Sequence, residues 1–359
     1  MPLSKPDTSG GFHPRVHVGE DIARPAFEVL RLDGILETRL LSPQLHQIVL
    51  GMARLRNAVS SLRLEGEQVE FDHAREVLEG RKPTSPAEVG FFKLARAYKD
   101  LALHPPPRLT RDLIVAKHRE LFQGVLADEV AGHLKTRQNS IIHETTGQVR
   151  FLPTPPARLD AEIQALLEWY DAHRFDYPPA VISALFFAEF QSIHPFIDGN
   201  GRLGRYLNMM ILKQLGCSQV GVVPLDLRFF RSSEKYYELL GSTNTGTDYT
   251  LWCRYFVGEV KHAYRVAVKQ ADLVPIITRF RRESTRVVLR WILSGDGSWF
   301  GRGDYPNPRH YSVQALWGAL NELRRAGVLE SRGERRGRTY RLNSRFLADL
   351  YARKLLSGS

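Results

Sequence analysis

Cysteine is nearly missing from this sequence. Cys217 and Cys253 are the two there are, far apart and without the close spacing of a zinc or redox pair. A disulfide framework and a cysteine-held metal therefore have no support, and both read as buried thiols. Long apolar runs are missing as well: nothing approaches the roughly 20 residues of a membrane helix. Met1-Pro2-Leu3-Ser4-Lys5-Pro6 also lacks the apolar stretch of a secretory signal. No membrane partner is expected, and the cytoplasm is the default compartment. No internal repeat is present, so solenoids and propellers are set aside. With 43% hydrophobic and 25% charged residues in a chain of 359, disorder and fibre are excluded, and two or three domains fit.

Charge is unevenly spread. The net charge is +11, yet Arg279 to Ser359 alone hold 17 lysines and arginines against 7 acidic residues. The basicity is therefore a C-terminal property, compatible with DNA contact, with an acidic protein partner, or with solubility alone.

Residues 1 to about 40, rich in Pro, Gly and His and without a sustained period, read as an extended arm followed by loops. Ser42-Pro43 is a helix start. Leu45, Ile48, Val49, Met52, Leu55, Val59 and Leu62 follow at three- and four-residue spacing until Gly66, a helix of about six turns. Helical periods recur in Ala87–Leu103, Arg111–Leu121, Asp160–Arg174, Pro179–Ser192, Gly201–Leu215, Lys235–Leu240 and from Tyr249 to about Val274. The body is mainly α. One exception is Ser140–Glu144 and Gln148–Leu152 around Thr145-Thr146-Gly147, the pattern of a short hairpin closed by Pro153, Pro155 and Pro156. Beyond about residue 275, helices at Glu283–Leu293 and Val313–Arg325 precede strands Val328–Ser331 and Thr339–Leu342 around a basic turn, a pattern similar to a winged-helix module. Four stretches result: 1–40, 41–110, 111–274 and 275–359.

The informative segment is His194-Pro195-Phe196-Ile197-Asp198-Gly199-Asn200-Gly201-Arg202-Leu203-Gly204-Arg205. A Gly-Asn-Gly turn opening a helix points several backbone N–H groups at one anion, with the positive end of the helix dipole behind them. Arg202 and Arg205, three apart, can fork onto phosphate oxygens from one face. Asp198 supplies a hard oxygen of the kind that holds Mg²⁺ beside a nucleotide. His194, just before the cradle, has the place of a general base. An EF-hand reading fails, because Arg202 would stand at a ligand position and Leu203 at the required glycine.

His194 to Arg205 matches the signature H-x-F-x-[D/E]-G-N-G-R-x-x-R at every specified position, which average composition yields by chance in on the order of one chain in 10⁸. On these residues the chain resembles the Fic (filamentation induced by cAMP) family of protein adenylyltransferases. The Ser140–Leu152 hairpin looks like that family's flap. The resemblance implies a Fic-type helical core over 111–274 with a hairpin flap, and AMP transfer from Mg-ATP to a Ser, Thr or Tyr hydroxyl. His194 would take the hydroxyl proton and Asp198 would hold Mg²⁺. Gly199, Asn200, Gly201, Arg202, Leu203, Gly204 and Arg205 would line the phosphates. Phe196 matches a loop anchor. Relatives that phosphorylate have Lys where Gly201 stands, so Gly201 favours AMP transfer. Tyr237 and Asn244 look like the residues that meet adenine.

A second family pattern, [S/T]-x-x-x-E-[G/N], fits Ser61-Leu62-Arg63-Leu64-Glu65-Gly66. Alone it arises in roughly one chain in three and also describes a helix ending at a glycine cap. Two features raise it: it lies upstream of the motif at the end of a long helix, and a Glu in a last turn opposes the helix dipole unless a cation compensates. In similar proteins this Glu pairs with the second motif arginine, here Arg205, which makes 41–110 an inhibitory region and Glu65 and Ser61 its key residues. The resemblance leaves open the target protein, with the chain itself a candidate, another nucleotide donor, and AMP removal. Homodimers are frequent among similar proteins. A DNA-binding regulator acting through 275–359, with the core as a sensor, stays a competing reading.

Overall fold

A computed structural model of the protein describes residues 3–142, 149–244, 246–277, 279–294, 298–307, 309–334 and 337–343. The chain divides into two compact units, Met1–Val268 and Lys269–Ser359.

The first unit is helical, as its periods require: α1 (Glu20–Arg39), α2 (Pro43–Leu64), α3 (Phe71–Leu78), α4 (Pro86–Leu103), α5 (Arg111–Phe122), α6 (Leu159–His173), α7 (Pro179–Ile193), α8 (Asn200–Gln214), α9 (Leu225–Arg231), α10 (Ser233–Ser242) and α11 (Thr250–Ile277), within which the boundary falls. Starts are chemically marked. Ser42, Ser85 and Thr110 each accept the backbone N–H three residues on, and prolines occupy the first turns of α2, α4 and α7. Every residue of α7 after Pro179 is buried, so a helix enclosed on all sides forms the centre of the unit. Helix α8 packs on α7, and α2 packs on α4 and α9.

The arm reading of residues 1–40 is corrected by α1, where Ile22, Ala26, Val29, Leu32 and Leu36 form a buried stripe at helical spacing. Pro25 hid it; a proline this early costs one backbone bond without ending the helix. Helices α3 and α9 are too short to show a period, and tertiary burial makes them. The hairpin is present as β2 (Ile141–Ile142) antiparallel to β3 (Val149–Leu152); its turn, 143–148, lies outside the described residues. A strand that the sequence did not announce, β1 (Leu3–Ser4), pairs in parallel with the other edge of β3, with Leu3 opposite Phe151. The Lys5 ammonium anchors it, 2.9 Å from Glu162 and 2.8 Å from Glu189, all three side chains buried.

The second unit runs α12 (Glu283–Ser294), β4 (Phe300–Gly301), α13 (Val313–Arg325), β5 (Leu329–Arg332) and β6 (Thr339–Leu342). The strands form an antiparallel sheet in the order β4-β6-β5, and α12 packs on α13. Trp299 lies beneath the guanidinium groups of Arg332 and Arg341, at 4.3 and 4.6 Å. Among the described residues no helix is long and apolar enough to cross a membrane.

Candidate active site

Helix α7 ends because Pro195 follows: the residue before a proline is driven out of the α region. His194 adopts a left-handed conformation (φ 51°) as the helix cap. The chain then loops through Phe196, fully buried, and returns at Asn200, whose side chain accepts the Phe196 N–H at 2.9 Å and donates to the Phe196 carbonyl at 2.8 Å. Gly199 makes the turn possible. Its φ is 82°, and a Cβ there would lie 2.6 Å from the Phe122 ring.

His118 supports this loop from below. The Gly132 N–H donates to its Nδ1 at 2.8 Å, so the ring proton is on Nε2 and donates to the Asp198 carbonyl at 2.9 Å. The ring stacks on Phe196 with centroids 3.7 Å apart, and burial holds its pKa down to about 4. On the other side, the Lys135 N–H donates to Pro195 O at 3.0 Å and the Asn139 amide to Phe196 O at 3.0 Å, tying the segment that leads into the hairpin to the motif loop.

Helix α8 starts at Asn200, and the N–H groups of Asn200, Gly201 and Arg202 precede any intrahelical partner, so they and the dipole behind them form an anion cradle. Arg202 lies over the Phe122 ring at 4.6 Å and contacts Asp198 at 3.2 Å. Arg205 is 1% exposed, its Nε donating to Ser61 Oγ and its Nη2 to Ser61 O, both at 2.8 Å. Asp226, fully buried, accepts from Tyr98 Oη at 2.5 Å; burial first, against the pull of Arg205, pushes it up to about 6.

The C-terminus of α2 meets this cradle. Glu65 caps α2, Gly66 is left-handed (φ 77°), Gly66 N–H bonds to Arg63 O at 3.1 Å and Glu67 N–H to Leu62 O at 3.1 Å, which is a Schellman turn. This turn presents two carboxylates to two arginines. Glu65 Oε1 accepts from Arg205 Nη2 at 2.7 Å and lies so close to the first turn of α8 that a Cβ on Gly201 would be 2.1 Å from it. Glu67 accepts from Arg202. Burial alone would lower the Arg205 pKa, but the Glu65 carboxylate overrides it and holds the guanidinium charged.

His194 Nδ1 lies 3.2 Å from the Gln191 carbonyl, which can only accept, so Nδ1 carries the proton and Nε2 keeps a free lone pair. Burial pushes the ring down to about 4, and it is therefore neutral at physiological pH. The structure thus brings together His194, Asp198, Gly199, Asn200, Gly201, Arg202, Arg205, Ser61 and Glu65. It corrects two phosphate-lining expectations. The Leu203 N–H is spent on Gly199 O at 3.0 Å and its side chain is in the core, while Gly204 packs on α7, where a Cβ would lie 2.1 Å from Gln191 Nε2. The Asn200 side chain is likewise occupied by Phe196, leaving its backbone for an anion. Tyr237 donates its hydroxyl to Leu64 O, beside the Glu65 turn, and Asn244 follows α10 with its N–H on Gly241 O at 3.2 Å. Sequence reading missed Glu67, His118, Lys135 and Asp226. His118 alone left a signal, a lone polar residue on the buried face of Ile114, Leu121 and Phe122.

The model of the Fic/DOC family matches residues 108–212. The proteins named protein adenylyltransferase Fic from Drosophila virilis and Drosophila yakuba are each 28% identical over 201 residues, 54% of this chain and 39% and 38% of theirs. The chain thus spans about two fifths of the length of these curated relatives. Among solved structures, a Fic family protein from Desulfovibrio desulfuricans G20 aligns with TM-score 0.61 at 20% identity, covering 92% of this chain and 98% of its own. A Fic domain containing signaling protein from Bacteroides thetaiotaomicron aligns with TM-score 0.57 at 19% identity, over 68% and 96%. These structural likenesses speak to the fold.

Proposed function

This chain is a member of the Fic/DOC family, and on that premise we propose that it transfers AMP from Mg-ATP to a protein hydroxyl and is restrained by its own Glu65. The observation that carries the reading is the joining of a neutral His194, bare at Nε2, to an anion cradle flanked by two buried arginines. The target oxygen attacks the α-phosphorus, its proton passes to His194 Nε2, and the bond from the α-phosphorus to the pyrophosphate oxygen breaks. The N–H groups that open α8 stabilise charge on the transferring group, and Arg202 and Arg205 hold the departing phosphates. The residues fit Mg²⁺: a single carboxylate, Asp198, with about half of its side-chain surface open beside the cradle, suits an ion that takes its other ligands from phosphate and water. When bound, Mg²⁺ would supply charge neutralisation at the phosphates.

Glu65 restrains the reaction because its carboxylate lies on the first turn of α8 and takes up Arg205, both of which the phosphates need. Labelling with α-³²P-ATP and γ-³²P-ATP tests the whole reading. Label from the α position alone, raised by Glu65→Gly and abolished by His194→Ala, is the expected result; label from the γ position, or equal label with Glu65→Gly, overturns transfer or restraint respectively.

A second reading concerns residues 269–359. The order helix, strand, helix, hairpin and the arginine pair on Trp299 support a winged-helix module with a basic wing, and DNA is the partner we propose for it. DNA binding that vanishes on truncation after residue 277, while AMP transfer persists, is the expected outcome.

A further inference from the structure

The Schellman turn that ends α2 offers a second carboxylate besides Glu65. Glu67 reaches Arg202, the arginine nearer the start of α8, and Arg202 also contacts Asp198 at 3.2 Å. The guanidinium is therefore stretched between a carboxylate of the restraining turn and the carboxylate that suits Mg²⁺. Arg202 is 4% exposed, and its Nε is buried without a hydrogen-bond partner. A buried donor in that condition points to an acceptor that the protein does not itself provide. Glu67 retains some solvent exposure and follows Gly66, so it can turn away without repacking the core.

We propose that Glu67 is a positioning residue of the phosphate site: by holding Arg202 toward the α2 turn it weakens nucleotides that carry a β-phosphate, independently of Glu65. Three features support this. The contact runs between α2 and α8, the two elements already joined by Glu65 and Arg205, but uses the other arginine. A carboxylate just past the end of α2 is disfavoured by that helix's own dipole, so it is held there by its cation rather than by local structure. Finally, the donors of a guanidinium are shared: those directed to Glu67 and Asp198 are not directed to a phosphate. Removing Glu65 alone then leaves the site half restrained.

This inference rests on the nucleotide-site reading above, and the test separates the two. Calorimetric titration with Mg-ADP and with AMP compares wild type, Glu67→Gln, Glu65→Gly, the double variant, and Glu67→Gln in an Arg202→Ala background. Glu67→Gln is expected to tighten Mg-ADP about tenfold, the worth of one contact of about 1.4 kcal/mol, and to leave AMP unchanged. The gain should persist beside Glu65→Gly and disappear without Arg202. Glu67→Asp retains the charge but is one methylene shorter; tightening there too supports a tether to Arg202 over a general field effect. Equal gains for AMP and ADP, a gain that survives Arg202→Ala, or no gain while Glu65→Gly tightens ADP would overturn the role of Glu67 and leave the nucleotide site standing. Binding of neither nucleotide by any variant would overturn both.

Discussion

The chemistry of His194 is decided by its surroundings. A histidine in water titrates near 6.5, and burial lowers this one to about 4. A downward shift favours the neutral ring, so the base form is present across the range of about pH 5 to 8 in which histidines usually titrate. In Glu65→Gly, where the Glu65 carboxylate no longer occupies the cradle, kcat/KM for AMP transfer is expected to stay flat with respect to His194 across that range and to fall only as pH drops through about 4. A limb near 6.5 in the pH profile would show a solvated imidazole instead. The same scale explains what a motif match conveys and what it does not. Asn200 and Gly199 were expected at the phosphates, yet their side-chain positions are consumed in shaping the loop, through Phe196 and against Phe122.

Elements, rather than single residues, create the restraint. The sequence pattern at Ser61–Gly66 describes equally a glycine-capped helix end and an inhibitory glutamate, and the structure shows both at once: the cap is the device that aims the carboxylates. Gly66 sits at φ 77° with open space around the missing Cβ, so Gly66→Ala has a backbone cost without a clash. A loss of about 1 kcal/mol in urea unfolding is expected, together with a rise in AMP transfer as Glu65 and Glu67 lose their presentation. Stability loss with unchanged transfer would mean that the ion pairs hold the turn by themselves. The helices α2, α4 to α8 and α11 were legible because their apolar residues recur at helical spacing over three or more turns, even in α7, which is buried on all sides. Helices α3 and α9 were not, since seven or eight residues hold too few repeats to stand out.

At the scale of the first unit, the N-terminal arm becomes part of the core. Lys5 is buried between Glu162 and Glu189, and Thr8 adds a bond to Glu189 at 2.9 Å. Lys5→Met leaves the buried Glu189 carboxylate without its cation and the buried Glu162 carboxylate with Arg158 alone, 3.3 Å away, and a loss of about 3 kcal/mol in denaturant unfolding is the expected result. A change below about 1 kcal/mol would show that the arm is not docked in solution. By itself the sequence determined the chemistry that is contiguous in the chain: a base, a loop anchor, an anion turn and two arginines within twelve positions, together with helices whose stripes repeat locally. The pairing of Glu65 with Arg205 was expected from the family resemblance, whereas tertiary structure alone decided the pairing of Glu67 with Arg202, the seating of His118 under Asp198, and the third strand of the hairpin sheet. The reason is physical. Local spacing fixes which side chains share a turn or a face, whereas contacts between residues eighty or more positions apart depend on how whole helices pack, and no local pattern records that.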